Sequence, residues 1–251
     1  SPNPKYSKEN YKRNMQTSQT ASASPTLKLN LMEVIEDMFM VLSEKEREVI
    51  VKRFSLDNKE RQTLESIGRT FNVTRERVRQ IEKIALSKLK RTLINTKLKY
   101  INEVGRAILK ENGGLLLEND LVGKILSTID KAENVDAYIV RLALTISHDL
   151  SNFEKTNVFT SAWHLSTIGQ DQIVEVLNNA IATLKDAKEV IEKAEFHKIL
   201  LSKKFNIEDI SESFFDSVLK IDQRLKIVDE GYGLMTWRHI NPKSIRDKAY
   251  I

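Results

Sequence analysis

Val73-Thr-Arg-Glu-Arg-Val-Arg-Gln-Ile-Glu82 is the stretch on which the fold of this chain turns. Wound as an α-helix at about 100° per residue, it places Arg75, Arg79, Lys83, Glu76 and Gln80 on one side and Val78, Ile81, Ala85 and Leu89 on the other. Thr74 is a helix N-cap residue, so the helix is expected from Arg75 to about Arg91. Upstream, Thr63 can cap a short helix that ends near Phe71, and Asn72-Val73 make a tight turn. Two helices joined by so short a turn form a helix-turn-helix. Its apolar face is expected to pack on Ile67, Phe71 and Ile50. One helix earlier, Ser43-Glu-Lys-Glu46 is a capping box that opens a helix to about Phe54, and residues 55–62 read as a polar loop.

The polar side of the 75–91 helix has the residue types that read bases in a major groove. Arginine gives two hydrogen bonds to guanine O6 and N7, glutamine pairs with adenine N6 and N7, and glutamate accepts from cytosine N4. Recognition helices use their N-terminal turns for this, where Arg75, Glu76, Arg79 and Gln80 lie. A charged helix face is more often only a solvated face. The distribution of charge argues for the sharper reading: residues 44–91 hold 14 basic and 8 acidic side chains, whereas residues 100–190 are net acidic, with 8 basic and 13 acidic.

Outward from this block, residues 29–42 predict an amphipathic helix with Leu31, Val34, Ile35, Met38 and Leu42 at helical spacing. Residues 1–26 are polar, hold three of the four prolines and read as a disordered tail or linker. The second half mixes helices with short strands and contains a weak repeat: Asp149-Leu-Ser-Asn-Phe153 before Val158-Phe-Thr-Ser-Ala-Trp-His164, and Asp222-Gln-Arg-Leu225 before Tyr232-Gly-Leu-Met-Thr-Trp-Arg238. Each reads as a helix exit followed by a hairpin. The expected fold is therefore mainly α: a helix-turn-helix domain over 27–95, then two small winged-helix (α+β) units. The first is a diverged unit over 100–190 that includes connecting helices from about Asp171 to Lys193, and the second covers 191–240. Asn241-Pro242 starts a helix that stops at Ile251, and the chain begins at Ser1, so the sequence is expected to be a piece of a longer one.

Several classes are disfavoured. No stretch approaches the roughly 20 apolar residues of a membrane span, and no secretory signal is visible. There are no cysteines, hence no disulfide frame and no thiolate metal site. His148, His164, His197 and His239 are scattered without ligand spacing, and Gly231-x-Gly233 lacks the third glycine of a dinucleotide loop and reads as a wing turn. Trp163 and Trp237 read as core anchors of their wings. The expectation is a cytoplasmic, nucleoid-associated protein with no catalytic residue, no cofactor, no metal, no membrane contact and no small-molecule substrate.

The strings Leu42-Ser-Glu-Lys-Glu-Arg-Glu-Val-Ile-Val-Lys-Arg-Phe54, Thr63-Leu-Glu-Ser-Ile-Gly68, Phe71-Asn-Val-Thr-Arg-Glu-Arg-Val-Arg-Gln-Ile-Glu82 and Ala85-Leu-Ser-Lys-Leu89 closely resemble region 4 of sigma-70-type transcription initiation factors. The resemblance implies a bacterial protein that reads a −35-type promoter element in duplex DNA and docks on the flap of the RNA polymerase β subunit. By motif position it implies base contacts from Arg75, Glu76, Arg79 and Gln80, and DNA-backbone contacts from Lys45, Arg53, Thr63, Leu64, Glu65, Arg77 and Lys83. Two positions depart from the pattern: Ile84 stands where the family has lysine, and Ser55 where it has glycine. Nothing in residues 1–40 resembles the aromatic-rich region that captures a −10 strand, so promoter opening by these residues alone is not implied. More distantly, residues 190–240, ending in Gly231-Tyr-Gly-Leu-Met-Thr-Trp237, resemble the winged-helix module of the polymerase delta subunit and of some restriction endonucleases. Three readings follow: a sigma-like DNA-reading protein, a polymerase-associated accessory protein that uses the same fold as a protein dock, and the DNA-reading part of a restriction or mobile-element system.

Overall fold

A computed structural model describes residues 30–129, 134–208 and 210–240. The tail expected over 1–26 and the helix start over 241–251 lie outside the described residues. Four helices come first: α1 Leu31–Phe39, α2 Glu44–Phe54, α3 Leu64–Phe71 and α4 Arg75–Thr92. The starts of α2, α3 and α4 are fixed by the caps read from the sequence, and that of α1 by Asn30, whose side chain accepts from the Glu33 N–H at 3.3 Å. The Ser43 hydroxyl accepts from the Glu46 N–H while the Glu46 carboxylate accepts from the Ser43 N–H at 2.8 Å. Thr63 and Thr74 accept from Ser66 N and Arg77 N, each at 3.1 Å. α1 stops short of the expected Leu42, with Met40 85% exposed.

The turn of the helix-turn-helix depends on two small details. Asn72 closes α3 in the left-handed region at φ 52, which asparagine tolerates. Gly68 is buried where α3 meets the turn, and an added Cβ would stand 2.7 Å from the Val73 carbonyl oxygen. Val49, Ile67 and Val78 fill this elbow, with Leu64, Phe71, Val73 and Ile81 around them. Ile50 faces the other way, into the main core with Ala85 and Leu89.

The rest of the described chain builds the same unit twice. The first has α5 Lys99–Glu111, β1 Leu115–Leu117, α6 Glu118–Leu126, α7 Asn134–Thr145, β2 Leu150–Phe153 and β3 Ala162–Leu165. The second has α8 Gln170–Ala187, β4 Ile191–Glu192, α9 Lys193–Ser202, α10 Glu212–Val218, β5 Leu225–Val228 and β6 Gly231–Leu234. Each sheet is antiparallel with the third strand in the middle, β1-β3-β2 and β4-β6-β5. A helix-strand-helix-helix-hairpin order of this kind is the winged-helix arrangement, and the chain is mainly α with two such units, as expected.

The structure revises details of that expectation. The helix over 170–187, read as a connector, is the first helix of the second unit: Ile173, Val176, Leu177, Ala180 and Leu184 are buried with Phe196, Phe214 and Phe215. The repeat is real, but its register differs. Leu150–Phe153 matches Leu225–Val228, and the middle-strand counterpart of Trp163 is Tyr232, because residues 154–161 make a long wing in one unit and residues 229–230 a tight turn in the other. Trp237 lies beyond β6, half-buried and stacked on His239. Gly231 and Gly233 sit in β6 itself and not in the turn, where Asp229 takes the positive φ. Close packing explains them: an added Cβ would come 2.7 Å from Ile191 O at Gly231 and 2.1 Å from Ile240 Cδ1 at Gly233.

One polar network recurs with its charges exchanged. Glu118, which opens α6, pairs with Arg141 on α7 at 3.0 Å and accepts from Trp163 Nε1 at 3.1 Å. Lys193, which opens α9, pairs with Asp216 on α10 at 2.8 Å, and Asp216 accepts from the Tyr232 hydroxyl at 3.5 Å. Burial, with Asp216 beside it, pushes the Tyr232 hydroxyl up to about 12.

A single apolar core runs from the helix-turn-helix into the first unit. It joins Leu31, Ile35, Met38, Ile50, Ala85 and Leu89 to Ile101, Ile125, Ile139, Leu142 and Trp163. A second core fills the second unit and takes in Leu115, Phe153 and Ala162 from the first.

Candidate nucleic-acid interface

α4 is held against α2 by two ion pairs as well as by its apolar face. Arg53 Nε meets Glu82 at 2.9 Å, and Lys88 Nζ meets Glu46 at 2.8 Å. Arg53 also donates to the Gln62 carbonyl at 3.0 Å, which ties the end of the polar loop to the same point. With its rear fixed in this way, α4 turns its first two turns outward. Arg75, Glu76, Arg77, Arg79, Gln80 and Lys83 are all exposed, whereas Val78 is fully buried.

The exposed groups hold one another. Arg79 makes a two-bond contact with Glu76 at 2.8 and 2.7 Å, Arg77 donates to Gln80 Oε1 at 3.2 Å, and Arg75 reaches Glu65 on α3 at 3.1 Å. The hydrogen bond from Arg79 holds the Glu76 carboxyl below its ordinary value, and Glu76 raises the Arg79 guanidinium in turn. These contacts are fully solvated, so they arrange the side chains at little energetic gain and exchange readily for bonds to base edges or phosphates.

Of the residues expected on the DNA backbone, Lys45, Thr63, Glu65, Arg77 and Lys83 are exposed. Thr63 and the next two residues begin α3, and the first N–H groups of a helix have no acceptor within it. Such a helix start is suited to a phosphate. Leu64 is half-buried against the elbow cluster, which leaves its backbone N–H and not its side chain for such a contact. Arg53, only 15% exposed at its side chain, is committed to Glu82 and Gln62 and acts as a brace rather than a free arm. Ile84 stands 47% exposed on α4, beyond Gln80.

Sequence reasoning missed two long-range partnerships. Glu82 reads as an ordinary surface carboxylate and Glu46 only as half of a capping box until the helices are brought together, because their partners Arg53 and Lys88 lie 29 and 42 positions away.

No helix among the described residues is long and apolar enough to cross a membrane. Residues 39–91 match the family model for sigma-70, region 4. The chain is 49% identical over 69 residues to the RNA polymerase sigma factor SigA1 of Synechococcus elongatus, a match covering 28% of this chain and 17% of that protein. It is 49% identical over the same length to SigA of Microcystis aeruginosa, and 46% identical to SigA of Listeria monocytogenes, where the match covers 18% of the relative. The chain thus spans less than a fifth of the length of the curated relatives it matches. The family match runs from the last residue of α1 through α4, the helix whose polar side is exposed.

Proposed function

We propose that this chain is a sequence-specific DNA-binding transcription protein, sigma-factor-like, that reads a −35-type promoter element with the start of α4. The observation that carries the reading is the exposure of Arg75, Glu76, Arg79 and Gln80 on a helix whose opposite face is buried and whose rear is braced by two ion pairs. Arg75, Glu76, Arg79 and Gln80 contact base edges. Lys45, Arg77, Lys83 and the start of α3 at Thr63, Leu64 and Glu65 hold phosphates, with Arg53 bracing them from behind. The match to region 4 supports docking on the RNA polymerase β flap as the second half of the activity. The protein acts by binding, without a catalytic step, and is associated with the nucleoid in the cytoplasm.

Fluorescence anisotropy tests the DNA half. A labelled duplex carrying a −35-like site is compared with a scrambled duplex at two salt concentrations. The proposal expects the specific duplex to bind on the order of 10³-fold more tightly, with affinity that falls as salt rises through released counterions. Equal weak binding of both duplexes contradicts it.

A further inference from the structure

In a helix-turn-helix pair the second helix is the one that enters a DNA groove. Each winged unit contains such a pair, α6 with α7 and α9 with α10, so the described residues carry three candidate reading helices. Of these, as far as their side chains are described, only α4 has a free polar face.

On α7, Ile139, Val140, Leu142, Ala143 and Leu144 are each fully buried, and they sit in the same core as α1, α2 and α4. Its one arginine, Arg141, is engaged with Glu118 and the Tyr138 ring. The short α10 is held at both ends. At its start, Gly113 lies so close that an added Cβ would clash with Phe214 N, and in its last turn Ser217 Oγ donates to the Asn112 carbonyl at 3.3 Å. Past its end, Thr160 N donates to Ile221 O at 2.8 Å and Gln223 N donates to Val158 O at 2.9 Å, which stitches the wing of the first unit to the second. Gly113, at φ +77, and Gly114, at φ +92, make this approach possible; the matching turn in the second unit is Lys188-Glu189, whose side chains are exposed and whose surface receives no helix among the described residues.

We propose that the second helices of the two winged pairs are intramolecular clasps and not DNA readers. α7 fastens the first unit to the helix-turn-helix, α10 fastens the second unit to the first, and the pair of units forms a stiff arm carried by a single reading helix. The proposal rests on the DNA-reading function of α4 for its biological meaning, but the clasp itself is testable without DNA.

The chain has no cysteine, so Phe159→Cys with Asp222→Cys places two thiols at directly opposed positions of the antiparallel bridge that stitches the first unit to the second just past α10, with no competitor. The clasp predicts ready disulfide formation, read by thiol titration, and the same affinity for the −35-like duplex in the oxidised and reduced protein. Failure of the disulfide to form in a folded double variant, judged by circular dichroism, overturns the proposal. So does a locked form that loses DNA binding and regains it on reduction. If the reduced protein binds no duplex, the DNA-reading proposal falls, and the clasp is judged by the disulfide yield alone. A second variant avoids the interface altogether: Lys155→Gln, Lys220→Gln and Lys226→Gln together remove exposed charges from the two wings and the end of α10. Unchanged affinity and salt dependence support the clasp. A loss of affinity with a shallower salt dependence, by about one unit for each lost phosphate contact, overturns it.

Discussion

α4 and α7 hold the same place in their modules, the second helix of a helix-turn-helix pair, and their surfaces could hardly differ more. α4 carries charge on one side and Val78, Ala85 and Leu89 on the other, so one face is left for solvent or DNA. α7 is apolar almost all round, and a helix of that kind is stable only when enclosed. Topology alone does not make a reading helix. The distribution of polar side chains around it decides whether it is left open or enclosed in a core, and α4 and α7 stand at the two ends of that range.

The sharpest way to break this comparison is to damage the buried helix. Leu142→Ala leaves a cavity in the core shared by the helix-turn-helix and the first unit, at a cost of about 2–5 kcal/mol. Thermal unfolding by circular dichroism is expected to show both modules melting together at a lower temperature, with DNA affinity lost in the same transition. Separate melting, with the reading module intact, would sever the link between them. On the exposed helix the expected effect is different in kind: Arg79→Ala leaves the melting temperature in place and lowers specific binding by about 1–3 kcal/mol, read as a loss of discrimination between the −35-like and scrambled duplexes in anisotropy.

Smaller effects refine the picture. Lys193→Glu sets a carboxylate beside Asp216 and is expected to destabilise by about 1 kcal/mol, half-exposed as the site is. Adding Asp216→Arg reproduces the Glu118–Arg141 arrangement of the first unit and should restore most of the loss in chemical denaturation, if the two networks are equivalent. Ser55 holds φ 59 at the end of α2, a left-handed conformation that glycine adopts without strain. Ser55→Gly is therefore expected to raise stability by roughly 0.5–1 kcal/mol, less whatever the more flexible unfolded chain takes back.

Much of the helix-turn-helix was legible because its signals are local. Ser43 with Glu46, Thr63, Thr74 and the spacing of Val78 to Leu89 each lie within a turn or two of what they determine. The hairpins were legible only in outline. Matching Trp163 to Trp237 puts the repeat in the wrong register, since a long wing and a two-residue turn occupy the same place and the true counterpart, Tyr232, is an aromatic donor of a different residue type. The exchanged pairs Glu118–Arg141 and Lys193–Asp216 hide the duplication further, because equivalent positions carry opposite charge. The role of α7 was visible in principle: its run Tyr138-Ile-Val-Arg-Leu-Ala-Leu144 has no polar face to offer DNA. What no local pattern shows is which surface covers it, because that depends on contacts between residues far apart in the chain.

Amide hydrogen exchange, measured with and without the −35-like duplex, tests the central claim most directly. The account predicts new protection at the start of α3 and the first turns of α4, with α7 and α10 already protected in the free protein and unchanged by DNA. Protection that appears on α7 or α10 when DNA is added, with none on α4, would contradict it.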